Sequence, residues 1–274
     1  MALRFSKMHG AGNDFVVIDS RAQPFVLAPE RIAQIGDRHR GIGFDQLLTI
    51  EPARDASCAF HYGIYNSDGS TSGQCGNGVR CVATWLRRAG ALDAGRTRLE
   101  SPSGPVEVEL LDDGRVRVNM GEPRFDPRDV TLNMPAADPY AIDIEGRSLE
   151  FGAVSMGNPH AVVEVADVDA AIGSLGRVLS SRAEFQAGCN AGFVAVWDRA
   201  HLMLRVWERG AGATLACGTG ACAAVAVLHR RGRLDDTVAV ALPGGTLEIH
   251  WQGAGHDLWM TGPAAFVYEG EIDE

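Results

Sequence analysis

An α+β fold made of two pseudo-symmetric mixed domains of similar topology is the architecture expected of this chain. Three observations support it: an internal repeat, a hairpin signal after each copy, and a proline-free helical run within each copy. Residues 66–90, NSDGSTSGQCGNGVRCVATWLRRAG, answer residues 208–232, ERGAGATLACGTGACAAVAVLHRRG, with Cys75 and Cys217 in register at an offset of 142. Length agrees, because 274 residues at roughly 150 per domain leave room for about two.

The elements follow in chain order. Gly12-Asn13 followed by Val16-Val17 matches Gly157-Asn158 followed by Val162-Val163, and marks equivalent strands near the start of each half. After each Cys-Gly-x-Gly a run rich in Ala, Val, Leu and Arg reaches Gly90 or Gly232, the pattern of a helix stopped by a glycine just past its last turn. Both cysteines therefore fall at helix N-termini. Val106–Leu110 and Arg115–Met120 alternate apolar with polar residues around Asp112-Asp113-Gly114 and predict a hairpin, with Thr246–Trp251 and Asp257–Met260 as its counterpart. Gly121–Asp129 reads as the crossing between halves, and Pro263–Ile272 as one short strand returning to the first half. The expected domains are residues 1–117 with 263–274, and residues 118–262, with the active site in the cleft between them.

Composition narrows the function. With 25 basic and 35 acidic side chains the net charge is −10, which repels phosphate backbones and anionic lipid surfaces. Nucleic acid and membrane partners are not expected; a small molecule is. The start, MALRFSKMHGAGNDF, lacks the apolar stretch and cleavage site of a secretory signal, and runs such as Ala221–Leu228 fall far short of a bilayer span of about 20 residues. The expected location is cytoplasmic, where the 6 cysteines stay as free thiols.

A helix N-terminus presents unpaired N–H groups and partial positive charge, which hold an anion and favour a thiolate. Two such thiols from sister domains, facing one bound molecule from opposite sides, suit inversion of a stereocentre. One sulfur removes a proton from carbon, the other returns one, and the two helix ends stabilise the charge that develops on an adjacent carboxylate. Thiolates about 7 Å apart would repel by about 2.4 kcal/mol at an effective dielectric of about 20, so one thiolate and one thiol is the favoured state. No metal or pyridoxal cofactor is required in principle.

Other readings of these residues remain open. Gly218-x-Gly220-x-x-Ala223 resembles a dinucleotide fingerprint but follows no apolar strand. The cysteine spacings lack the paired form of a zinc site. Cys58, Cys81, Cys189 and Cys222 read as small buried thiols, and His9, His61 and His160 as structural groups or acid–base candidates. A non-catalytic protein that binds an amino acid or other carboxylate at the two helix ends is the alternative to an enzyme. Cysteine in both copies argues against it, because serine or threonine caps a helix better.

The segments KMHGAGNDFVVID, RHRGIGFDQLL, YNSDGSTSGQCGNGVRC, MGNPHAV, ERGAGATLACGTGACA and TGPAAFVYEG span nearly the whole chain and resemble the diaminopimelate epimerase family. The resemblance implies a duplicated, pyridoxal-independent epimerase acting on LL- and meso-diaminopimelate, in lysine and peptidoglycan precursor synthesis, as a homodimer. Both family cysteines are present, unlike in the similarly folded phenazine-biosynthesis group. By that resemblance Cys75 and Cys217 are base and acid, and Gly76, Asn77, Gly218 and Thr219 bind the reacting carboxylate. Asn13, Asn66, Asn158, Asn190 and Arg209 hold the distal amino acid group, while Gln46, His160 and Glu208 line the site. Neutral amides with one guanidinium suit a doubly zwitterionic ligand.

Overall fold

The computed structural model describes residues 2–73 and 75–273, which divide into two compact units, the described residues up to 119 with 261–273, and residues 120–260. Unit 1 begins with β1 (Ala2–Gly10), β2 (Asn13–Asp19), α1 (Pro29–Gly36), β3 (Gln46–Pro52) and β4 (Phe60–Asn66). It continues with α2 (Gly76–Arg88), β5 (Gly95–Ser101), β6 (Gly104–Leu110) and β7 (Val116–Asn119). Unit 2 contains β8 (Tyr140–Ile144), β9 (Arg147–Ser155), β10 (Pro159–Glu164), α3 (Val168–Ser180), β11 (Asn190–Asp198), β12 (His201–Glu208) and β13 (Gly212–Ala213). It ends with α4 (Gly218–Arg230), β14 (Thr237–Leu242) and β15 (Gly245–His250); β16 (Trp259–Gly262) carries the chain across the boundary at residues 260–261, and β17 (Ala265–Asp273) lies in unit 1.

Pairing shows the duplication directly. In unit 1, β17–β1 and β1–β2 are antiparallel, β2–β3 parallel, β3–β4 antiparallel, β4–β5 parallel and β5–β6 antiparallel. In unit 2 the same series runs through β8–β9, β9–β10, β10–β11, β11–β12, β12–β14 and β14–β15. Parallel neighbours need a crossover connection, and each unit has a helix in each one: α1 and α2, or α3 and α4. The expected α+β class with two similar halves is borne out.

α1 and α3 were not foreseen, because neither carries the Cys-Gly-x-Gly signal; topology requires a link there. Ile32 and Ile35 of α1 pack with Phe5, Val16, Ile18 and Leu47. On the other sheet face Gly78 of α2 lies so close to Leu48 that a Cβ would stand 3.2 Å from it. Strands β2 and β3 are thus covered on both sides, which explains their buried Phe15–Ile18 and Leu47–Ile50 runs.

The 13-residue helices α2 and α4 end alike. Gly90 (φ +66°) donates to Arg87 O and Ala91 to Leu86 O; Gly232 (φ +70°) donates to His229 O and Arg233 to Leu228 O. These paired bonds satisfy the last carbonyls in a left-handed glycine cap. The first hairpin forms as read, except that its second strand stops at Asn119, and β17 is longer than the short strand expected.

Two glycines with positive φ should respond differently to alanine. At Gly90 a Cβ has nothing within 4 Å, so Gly90→Ala should cost only the left-handed strain of about 1–2 kcal/mol. At Gly69 (φ +85°) it would lie 2.2 Å from Pro29 O, so urea unfolding should show Gly69→Ala clearly the more destabilised.

Candidate active site

Topology gathers the candidate residues of each unit at one end of its strands. β2 and β3 run parallel and both begin there, with Asn13 and Gln46; antiparallel β4 ends there, with Asn66 opposite Gln46. Unit 2 repeats the arrangement with Asn158 just before β10, Asn190 at the start of β11 and Glu208 at the end of β12. Each helix that follows opens at its cysteine.

In unit 1, Cys75 is the N-cap of α2, and its Sγ accepts the N–H of Gly78 at 3.4 Å. Gly76 and Asn77 form the first turn, which packs against the β1–β2 connection: a Cβ on Gly10 would stand 3.3 Å from Asn77 O. Arg80, fully buried, holds this turn by donating to Asn77 Oδ1 (2.8 Å), Gly76 O (3.3 Å) and Pro263 O (3.3 Å). Arg80 was missed in the sequence, although the Asn-Gly-Val-Arg run offered an unexplained cation one turn into a helix. Asn13 Nδ2 donates to Asp45 Oδ2 at 2.6 Å, and Gln46 Nε2 to Asn66 Oδ1 at 3.0 Å. Asp14 and Asp45 share Arg38, and Asp14 also binds buried Lys7 at 2.5 Å. Burial opposes ionisation of Asp14, but Arg38 and Lys7 hold it well below the ordinary carboxylate range.

In unit 2, Cys217 is the N-cap of α4 and is only 4% exposed. Burial first, then the carboxylate of Glu208, push its thiol well above the usual 9.0, against the opposing effect of Thr219. At Cys217 burial and a neighbouring carboxylate therefore oppose the helix end in setting the state of the thiol. A chain of donors nonetheless leads to its sulfur. His160 stays neutral, because burial and then Arg209 push its imidazole down to about 3. Its Nε2–H donates to Asn158 Oδ1 (2.9 Å), Asn158 Nδ2 donates to Thr219 Oγ1 (3.4 Å), and the Thr219 hydroxyl lies 3.6 Å from Cys217 Sγ. His160 is thus a buried orienting group. Gly218 occupies the first turn beside Thr219. Glu208 Oε1 accepts from Thr214 at 2.6 Å, and Asn190 Oδ1 accepts the Arg209 N–H at 2.9 Å. Arg209 Nη1 donates to Ala187 O at 3.0 Å.

Of the remaining thiols, Cys81 and Cys189 are pushed up to about 12 by burial, and Cys58 and Cys222 are buried. His61 is buried beside Glu100, at 3.6 Å. Among the described residues no group of three or more His, Cys, Asp or Glu is placed to hold a metal ion, and no helix is long and apolar enough to cross a membrane.

Solved structures of the same duplicated class include a phenazine biosynthesis protein of the PhzF family from Bacillus anthracis, with a TM-score of 0.72 at 16% identity over 100% of both chains. A hydroxyproline epimerase from Agrobacterium vitis gives 0.70 at 17% identity, covering 99% of this chain and 92% of that one. Sequence likeness is narrower and stronger. The profile described as diaminopimelate epimerase matches residues 5–125 and 152–267, and the diaminopimelate epimerase of Xanthomonas axonopodis pv. citri (strain 306) is 53% identical over 272 residues, 98% of this chain and 96% of that protein. The chain belongs to the diaminopimelate epimerase family.

His160 predicts a pH effect. Folded, it titrates at about 3 instead of 6.5, so within that window the unfolded chain binds a proton that the folded chain does not. Stability should fall as pH drops through the window, by up to about 1.4 kcal/mol per unit from this group. Acid unfolding curves of His160→Gln should be flatter than wild type between those values.

Proposed function

We propose that this chain interconverts LL- and meso-diaminopimelate by inverting one α-carbon, with Cys75 and Cys217 as the base and acid pair. The observation that carries the reading is 53% identity over 98% of the chain to a protein named diaminopimelate epimerase, in a chain that has a cysteine at the start of both α2 and α4. One C–H bond breaks as its proton passes to a thiolate, and a new C–H bond forms from a thiol on the opposite face. The electron pair released rests on the adjacent carboxylate, where N–H groups of Gly76, Asn77, Gly218 and Thr219 stabilise it. The sulfurs exchange roles in the reverse reaction, so the proton count closes without a cofactor.

Buried Cys217, raised by desolvation and Glu208, is suited to rest as the thiol. Cys75 is half-buried, and its sulfur accepts a backbone N–H. Asn13, Asn66, Asn158, Asn190 and Arg209 read the far amino acid end, Gln46 and Glu208 complete the lining, and His160 orients Asn158. The protein works in the cytoplasm, in the formation of lysine and peptidoglycan precursors. Its partner is a second copy of itself; Val267 and Tyr268 of β17, 57% and 46% exposed, are apolar surface suited to that contact. Sedimentation should give twice the chain mass, and Val267→Lys should shift it toward the monomer.

The test of the chemistry is proton NMR of each isomer in deuterium oxide. Wild type should exchange the α-hydrogen as the isomers equilibrate, and Cys75→Ser or Cys217→Ser should slow this by on the order of 10²-fold or more, since an alcohol is a far poorer base. Wild-type exchange in either variant would refute the pair.

A further inference from the structure

The first unit contains two amides whose orientation is dictated by carboxylates. A carboxylate only accepts hydrogen bonds, so the 2.6 Å contact of Asn13 with Asp45 Oδ2 must use the Asn13 NH₂ group. Its Oδ1 is left without a donor among the described residues. Asp45 is itself fixed, since Oδ2 also accepts the Asp14 N–H (3.1 Å), Oδ1 accepts Arg38 (2.8 Å), and its own N–H donates to Asp14 Oδ1 (3.0 Å).

The second amide is set by a longer chain with the same logic. Asp68 Oδ1 must accept, so the Ser70 hydroxyl donates to it at 2.6 Å. Ser70 Oγ then accepts from Asn66 Nδ2 at 3.0 Å, which turns Asn66 Oδ1 to accept Gln46 Nε2 at 3.0 Å. Gln46 Oε1 remains buried with no partner, a state that costs free energy until a donor arrives. Both chains end on a carboxylate, and both leave an amide oxygen unmet.

We infer that Asp45, and Asp68 through Ser70 and Asn66, are positioning residues that present the oxygens of Asn13 and Gln46 as acceptors, so that this end of unit 1 reads an ammonium rather than a carboxylate. The inference rests on diaminopimelate being the substrate, and assigns its distal ammonium to unit 1. Freed from its carboxylate, either amide can turn its NH₂ outward, and the selectivity is lost.

The test compares diaminopimelate with 2-aminopimelate, which has the reacting amino acid end but a plain carboxylate chain end. Asp45→Ala should raise KM for diaminopimelate by about tenfold or more with kcat within about twofold, and leave the inhibition constant of 2-aminopimelate within about twofold. Asp45→Asn keeps an oxygen before Asn13 and should restore KM to within about threefold of wild type. Ser70→Ala, which cuts the second chain far from Asp45, should raise KM in the same selective way and serves if Asp45→Ala does not fold. An inhibition constant that rises as much as KM, or a KM that does not move in either alanine variant, overturns the positioning role. Wild-type protein that fails to exchange the α-hydrogen of diaminopimelate sinks the epimerase reading instead.

Discussion

Unpaired N–H groups at the start of an α-helix are the constraint on which both halves of this protein depend. The first turn of a helix has donors with no partner inside it, and here two such turns open at a cysteine, a residue that caps poorly. Serine or aspartate would satisfy those donors better. On the proposed reading those donors are two preorganised sites for negative charge, one beside each sulfur. The β4–α2–β5 and β12–α4–β14 crossovers set where those turns begin, because a helix joining parallel strands must start where the preceding strand ends.

Duplication gave the two sulfurs equivalent backbone positions, but the surroundings have diverged. Cys75 is half-buried and accepts the Gly78 N–H, with the buried Arg80 guanidinium holding the same turn. Cys217 is only 4% exposed, and the Glu208 carboxylate adds to desolvation in opposing its ionisation. The two sulfurs are thus unequally buried, one half-buried and the other only 4% exposed. The hydrogen-bond chain from His160 through Asn158 to Thr219 then brings a hydroxyl to Cys217.

The amides show a parallel divergence. Unit 1 ties Asn13 and Gln46 to carboxylates, whereas unit 2 ties Asn158 to a neutral histidine and Asn190 to a backbone N–H. Side chains that look interchangeable in sequence are thus given opposite polarities by what they bond. A carboxylate can only take a proton donor, and a neutral imidazole N–H facing an amide oxygen frees the amide NH₂.

Local pattern was enough to determine much of this. The repeat predicted two similar units, the glycines after α2 and α4 predicted where those helices stop, and alternation predicted the hairpin β6–β7. Each is a short-range property in which neighbouring residues set the conformation, and the Cys-Gly-x-Gly blocks placed both sulfurs at helix starts for the same reason. Only tertiary structure decided the rest. Helices α1 and α3 exist because parallel strands must be bridged, Asp45 matters because of Asn13 and Asp14, distant in sequence, and Arg80 because it ties its own helix turn to Pro263. The burial of Cys217 and its approach to Glu208, which push its thiol up, were likewise not legible, because desolvation is a property of everything packed around an atom, and no window of sequence contains that.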